Sequence, residues 1–312
     1  MVQPAGAPAA GSQINADYQY EYRGLLLGHG TPFVVNETKG LLDQPPIVQY
    51  HSKAVSKHGV YYGYEVFDAR TIDFTIQTDS DSVGMQYPPT GLSLGAIAER
   101  MMDQIAFAFT VPAPFANQLT TPLTVAQIDD PLVIKRPGKL PRQVWCHTTK
   151  RQPKANSDIA TGLASIMVEM YAGDPVVYSL NFKTNNTTIP GTHTTSTQIN
   201  VRNEGNFPSS RMVVNITGPG GNTGSQLWSI TNLTNGGSLI LKMGLIGTDL
   251  VSLDFNAKTI TFNGTNSYQF RQGGSAWWAL QPGDNIFQVT RNTSDAVASN
   301  ITVYSYDAFN SA

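Results

Sequence analysis

Arg70-Thr71-Ile72-Asp73-Phe74-Thr75-Ile76-Gln77-Thr78 is the stretch on which the fold turns. Ile72, Phe74 and Ile76 alternate with Thr71, Asp73, Thr75 and Gln77. That period of two predicts a strand with one face in a core and the other toward solvent. Upstream, Tyr18-Gln19-Tyr20-Glu21-Tyr22 alternates in the same way and puts three tyrosines on one face. Leu25–Leu27, Phe33–Val35 and Ile47-Val48 are short apolar runs bounded by Gly, Pro or Asn, which predicts further strands. Downstream, Leu132-Val133-Ile134 and Gln143-Val144-Trp145-Cys146 flank Arg136-Pro137-Gly138-Lys139. Pro-Gly supplies the turn of a hairpin, with glycine taking positive φ. Ala160 to Tyr171 alternates with apolar residues on both faces, as a central strand would. A single helix is expected after Ser93, which can cap it, because Leu94, Ile97, Met101 and Ile105 recur at spacings of three or four. Pro112 and Pro114 are expected to end it. One amphipathic helix among strands has one apolar stripe and needs one sheet to cover it.

From Asn206 onward the texture changes to short strands punctuated by turns, at Gly218-Pro219-Gly220-Gly221, Asn235-Gly236-Gly237, Asn256-Ala257-Lys258, Asn263-Gly264 and Pro282-Gly283-Asp284. Turn signals every 8–12 residues over about a hundred residues predict a β-sandwich. The expected organisation is a flexible arm over 1–16, an α+β domain with one amphipathic helix on a β-sheet over 17–180, a Thr/Asn-rich linker over 181–205, and a C-terminal β-sandwich over 206–312. The fold class is mainly β.

The composition points away from a free cytosolic enzyme. Of 312 residues, 40% are apolar and only 13% charged, where about a quarter is usual. A surface short of charge is covered with Thr, Ser, Asn and Gln, which suits β-proteins packed in an assembly. The net charge of −2 implies no polyanion partner. The single cysteine, Cys146, excludes a disulfide framework and a cysteine-based zinc site, and is read as a buried, inert thiol. No apolar run is long enough to span a membrane, and the Ala/Gly/Pro-rich start does not read as a signal peptide. No HExxH, GxSxG or GxxxxGK[ST] pattern occurs and the five histidines are scattered, so no catalytic residues, metal or cofactor are expected. Asp129-Asp130 reads as a solvated loop before Pro131.

Four stretches together resemble the distal tail protein family of long-tailed phages, also called minor tail proteins. They are Val35 through Leu42-Asp43; Pro131 to Lys139; Met167 to Pro175 and on to Tyr178; and Asp254 to Gly264 with Trp277-Trp278 and Pro282 to Asn285. The resemblance implies a ring-forming, tail-tube-like N-terminal domain, usually hexameric, and a peripheral C-terminal sandwich of galectin or carbohydrate-module type. It implies a place at the virion tail tip, joining the tail tube to the hub or baseplate. The implied partners are copies of itself, the tube, hub and tape measure proteins, and receptor-binding proteins. No membrane and no sequence-specific nucleic acid are implied.

Three groups are candidate contact sites. Lys135, Arg136, Lys139 and Arg142 lie in a locally basic segment that reads as pairing with acidic neighbours around a ring. A solvated hairpin, and contact with DNA in a channel, are the alternatives. A tube that must release DNA should not grip phosphates, since each one neutralised adds affinity through counterion release. Tyr18, Tyr20 and Tyr22 are either an edge between subunits, where aromatics are enriched, or a cover for the domain's own core. Trp277 and Trp278 are read mainly as core packing, with carbohydrate stacking by the more exposed ring as the alternative.

Overall fold

The computed structural model describes residues 9–53, 60–80, 92–110, 129–154, 157–190, 195–218, 226–292 and 298–312. The chain divides into two compact units. The first is Met1–Leu180 with Asn310–Ala312, and the second is Asn181–Phe309. The fold is mainly β with one α-helix among the described residues, as the alternation predicted.

In the first unit the strands are β1 (Gln19–Tyr22), β2 (Leu25–Gly28), β3 (Phe33–Lys39), β4 (Ile47–Lys53), β5 (Val60–Phe67), β6 (Arg70–Thr78), β7 (Asp130–Lys135), β8 (Arg142–Lys154), β9 (Ser165–Ala172) and β10 (Val177–Ser179). The sheet runs β2-β1-β7-β8-β9-β6-β3, with β10 also on β8, while β4 and β5 form a separate hairpin. β8 is long enough to serve two partners. Its first residues pair with β7, and beyond Cys146 it pairs with β9 through a bulge at Thr148/Lys150. The β7–β8 turn is the predicted one, with Gly138 at φ 68. Ile72, Phe74 and Ile76 of β6 are buried as expected. β9 is central, between β8 and β6, but only one of its faces is fully covered. Ile166, Val168 and Met170 are buried, while Met167 and Tyr171 are exposed on the other side.

Helix α1 (Leu94–Ala108) starts at Ser93, whose hydroxyl accepts from the Ala96 amide, and buries Ile97, Ala98, Met101 and Ile105. Leu94 stays exposed. The helix closes at Phe109, whose amide donates to the Ile105 carbonyl, upstream of Pro112 and Pro114, which lie outside the described residues. Its last turn carries no basic residue of its own. Arg151 supplies one, donating to the Ala106 carbonyl at 2.5 Å, and Arg23 reaches the Ala108 and Thr110 carbonyls at 3.5 and 3.2 Å. Cations there satisfy orphan carbonyls and oppose the negative end of the helix dipole.

The second unit is a sandwich of two antiparallel sheets. Its strands are β11 (Lys183–Ile189), β12 (Thr195–Asn203), β13 (Met212–Thr217), β14 (Gln226–Asn232), β15 (Ser238–Met243), β16 (Leu250–Asp254), β17 (Thr259–Phe262), β18 (Thr265–Asn266), β19 (Gly283–Asn292) and β20 (Ser299–Ser305). One sheet runs β11-β20-β13-β16-β17-β18, the other β12-β19-β14-β15. Their inner faces share one core around Trp228, Ile230, Leu253, Phe287 and Val303.

Three expectations about boundaries are corrected. The expected linker over 181–205 contains β11 and β12, which pair with β20 and β19 respectively and belong to the sandwich. Each strand lies at the edge of its sheet and contributes few residues to the core, chiefly Ile189, Ile199 and Val201, so its sequence lacks an apolar pattern. Residues 310–312 belong to the first unit, not to the sandwich. The expected flexible arm is held from residue 9 onward. The Glu21 carboxylate accepts from the Gly11 and Gln13 amides at 3.1 and 2.9 Å, and the Gln19 side-chain oxygen accepts from the Asn15 and Ala16 amides at 2.9 Å each. Residues 1–8 lie outside the described residues.

Candidate functional site

The basic hairpin is mostly engaged within its own unit. The Lys135 ammonium lies 3.2 Å from Asp17 and donates to the Lys139 carbonyl. Arg142 donates to the Ser311 carbonyl at 2.9 Å and Arg136 to that of Ala312 at 3.4 Å. A third arginine, Arg70, completes a row of donors to this segment, reaching the Asn310 carbonyl at 2.8 Å. Arg70 is wholly buried and also donates to the carbonyls of Gly40, Leu41 and Pro175 at 2.8–3.1 Å. Burial pushes its guanidinium below the usual arginine range, against the attraction of Asp43. Burial also lowers Arg142, with Arg136 beside it adding to the effect. Of the four basic candidates only Lys139 is exposed, and burial together with its neighbours Arg142 and Arg136 lowers its pKa. Beside it Leu140 is 85% exposed. The hairpin tip at Lys139-Leu140 is therefore what remains of this candidate as an outward contact.

The tyrosines separate. Tyr18 precedes β1 at φ 61 and is 57% exposed. Tyr20 and Tyr22 point inward. Tyr20 lies edge-on to Phe74 at 5.4 Å, and Tyr22 stacks on Phe109 at 5.1 Å while its hydroxyl donates to the Cys146 carbonyl. Burial drives the Tyr22 phenol far above its ordinary range. Tyr22 is thus a core residue, on the face of β1 opposite Gln19 and Glu21, which are buried in turn by their hydrogen bonds to residues 11–16. Cys146 is buried, and desolvation lifts its thiol well above the usual value.

Asp129 and Asp130 are not a solvated loop. Asp129 is nearly buried and meets His147 Nδ1 at 2.6 Å, while Asp130 opens β7 and pairs with Arg23 at 2.5 Å. No cluster of three His, Cys, Asp or Glu side chains suited to a metal occurs among the described residues.

In the second unit Trp277 and Trp278 do not lie in a strand but in the loop before β19. Both pack edge-on to Phe255, at 5.1 and 4.6 Å, and Trp278 also meets Phe287 at 6.0 Å. Trp278 is 8% exposed, Trp277 half-buried, and both indole nitrogens are shielded. Trp278 is thus a core residue, while Trp277 packs on the core and keeps part of its surface toward solvent. Sequence reasoning missed the aromatic group that does face outward. Phe182 is 54% exposed and lies edge-on to Tyr304 and Tyr306, at 5.6 and 6.1 Å. Phe182 keeps the parity of Thr184, Asn186 and Thr188, a signal that would have been readable had 181–205 been taken as strand.

With this geometry in place, comparison with known proteins is informative. Residues 204–304 match the family described as siphovirus-type tail component, C-terminal domain. No curated protein matches the sequence. Among solved structures, the SPP1 Dit (gp 19.1) protein, described as a hub adsorption apparatus component of phages infecting Gram-positive bacteria, is similar with a TM-score of 0.60 at 14% identity. The similarity covers 93% of this chain and 98% of that one. A chain of the phage P2 baseplate in its calcium-activated conformation aligns at a TM-score of 0.40 and 9% identity over 89% of this chain and 98% of that one, too distant to bear on the fold. The resemblance to siphophage distal tail proteins read from the sequence is thus met twice, by the family match over 204–304 and by the fold of SPP1 Dit across both units.

Proposed function

We propose that this protein is a non-enzymatic structural subunit of the tail tip of a long-tailed phage. It forms a ring, six-fold in this reading, that joins the tail tube to the hub and carries receptor-binding proteins. The observation that supports it most is that a tail-component family match in the second unit coincides with a Dit-like fold over both units. The partners are further copies of the chain, the tube, hub and tape measure proteins, and receptor-binding proteins. A closed ring needs a heterologous contact, one face of a copy meeting a different face of the next, and a stable one buries roughly 1,600 Å² in total. The first unit offers outward apolar groups for it at Leu140, at Phe107 on the last turn of α1, and at Met167 and Tyr171 on β9.

Electron microscopy of virions labelled with an antibody to residues 206–312 tests the reading. Label gathered in a collar at the tail tip is the expected result. Label spread over the capsid, or absent from particles, overturns it.

A further inference from the structure

The chain passes between its two units twice, at Leu180–Asn181 on the way out and at Phe309–Asn310 on the way back. The outward passage is embedded on both sides. Before it, the buried Gln143 side chain donates to the Ser179 and Leu180 carbonyls at 2.9 and 3.0 Å. After it, β11 begins at Lys183 and pairs with β20 along its whole length. Asn181 and Phe182 are all that lies between those anchors.

The return passage is gripped as closely on the sandwich side. The buried Asp307 carboxylate accepts from the Glu204 amide at 2.7 Å and sits 2.9 Å from the Lys183 ammonium. The Ala308 amide donates to the Asn203 side-chain oxygen at 3.1 Å, and the Ala308 carbonyl accepts from the Phe207 amide at 3.1 Å. Ala308 lies so close to Gly205 that a Cβ there would collide with its carbonyl oxygen.

Beyond Phe309 the anchor is of another kind. Residues 310–312 form one short segment whose three carbonyls each take an arginine. Asn310 accepts from Arg70 at 2.8 Å, Ser311 from Arg142 at 2.9 Å and Ala312 from Arg136 at 3.4 Å. The Ala312 amide donates to the Leu41 carbonyl at 3.4 Å, and Ala312 itself is buried. These contacts read main chain and a small residue at 312. Each such hydrogen bond contributes little net of the water it replaces, and fixing each residue costs free energy of similar size. A segment this short therefore opens locally without unfolding either unit. The outward passage has no such exit, since releasing it means separating β11 from β20.

We propose that residues 310–312 are a latch. Docked on Arg70, Arg136 and Arg142, they close a second join between the units and restrict the sandwich to the motion that two short joins allow. Phe309 alone separates the two anchors of the return passage, so docking leaves little slack. Released, the segment leaves residues 181–182 as the join, and the sandwich reorients freely. The inference does not depend on the ring or on the tail-tip reading.

Pulsed electron paramagnetic resonance on the full chain tests it. Spin labels at Glu99→Cys on α1 and Lys242→Cys on β15, both exposed positions, report the spread of distances between units. A second pair, Glu99→Cys with the exposed Lys154→Cys on β8, reports the first unit alone. Cys146 is buried and escapes labelling. Labelled chain is diluted in unlabelled chain, so that each signal comes from one copy. The natural chain should give a distribution between units dominated by one narrow peak. Deletion of residues 310–312, or Ala312→Trp, whose ring does not fit the buried Ala312 position, should abolish that peak and leave the first-unit distance unchanged. Both changes keep all three arginines. Arg142→Ala should broaden the peak in the same direction. A peak as narrow in these variants as in the natural chain overturns the proposal, as does a natural chain already as broad as the deletion. Equal broadening of the first-unit pair also overturns it, since the segment would then be part of that unit's fold and not a latch.

Discussion

Both units bury polar side chains against their own backbone, the second at Asn203, Asn285 and Arg291, but they differ in what the remaining polar side chains do. In the first, buried or half-buried polar groups are occupied by the unit's own backbone: Glu21 and Gln19 hold residues 11–16, and Arg70, Arg136 and Arg142 hold residues 310–312. In the second, Asn and Thr side chains stand on the outer face of a sheet whose ladder is already complete without them. The lesson is that polarity in a β-protein stabilises where it closes an otherwise unpaired carbonyl or amide. Where it faces solvent it is nearly neutral for stability and left to contact something else.

That contrast can be broken most sharply at Arg70. Arg70→Ala strips donors from the carbonyls of Gly40, Leu41, Pro175 and Asn310. The expected loss is on the order of 3 kcal/mol or more, read as a fall in the urea midpoint. A change under about 0.5 kcal/mol would mean that water replaces the guanidinium freely.

Glu21→Ala is expected to cost about 1–2 kcal/mol by leaving two amides without an acceptor, and to speed hydrogen exchange at Gly11 and Gln13 first. Glu21 also carries a pH signature. Burial raises its carboxyl above the ordinary value, against the pull of the two amides. The folded state therefore takes up this proton before the unfolded chain does as pH falls. The group's contribution is most favourable below the unfolded carboxylate range and is lost as pH rises through the raised folded value. The stability of the natural chain relative to Glu21→Gln should accordingly be greater at pH 4 than at pH 7. The reverse trend would show that the amides outweigh burial.

Cys146 sharpens the picture of the first unit's interior. With its thiol lifted by burial, alkylation at pH 8 should proceed no faster than unfolding, because only the thiolate reacts. Rapid labelling of the folded chain would refute this. The smallest effect is expected in the second unit. Thr302→Ala on the outer face should change stability by less than about 0.5 kcal/mol, checked by thermal melting.

Much of this architecture was legible in the residues. Alternation marked β6 and β9, Pro137-Gly138 and Asn263-Gly264 marked turns, and the spacing of Ile97, Met101 and Ile105 marked the helix. Edge strands β11 and β12 escaped because they bury one or two apolar side chains each and so look like linker. The tryptophan pair misled because adjacency in sequence suggests opposite faces of a strand, whereas a loop lets both rings turn onto Phe255. Arg70's role could not be seen, since its partners are backbone carbonyls, which every residue type possesses. Tyr22 was ambiguous for a similar reason. Alternation gives the two faces of β1 but not which one the core takes, and the polar face turned out to be buried too, beneath residues 9–16.

Residues 310–312 complete the first unit although they are synthesised after the whole of the second. On the ribosome, Arg70, Arg136 and Arg142 must wait for their carbonyls until 129 intervening residues, 181–309, have been made. A chain cut short anywhere in the sandwich would leave the first unit unfinished as well. The early unit is thereby tied to a segment made only after the sandwich.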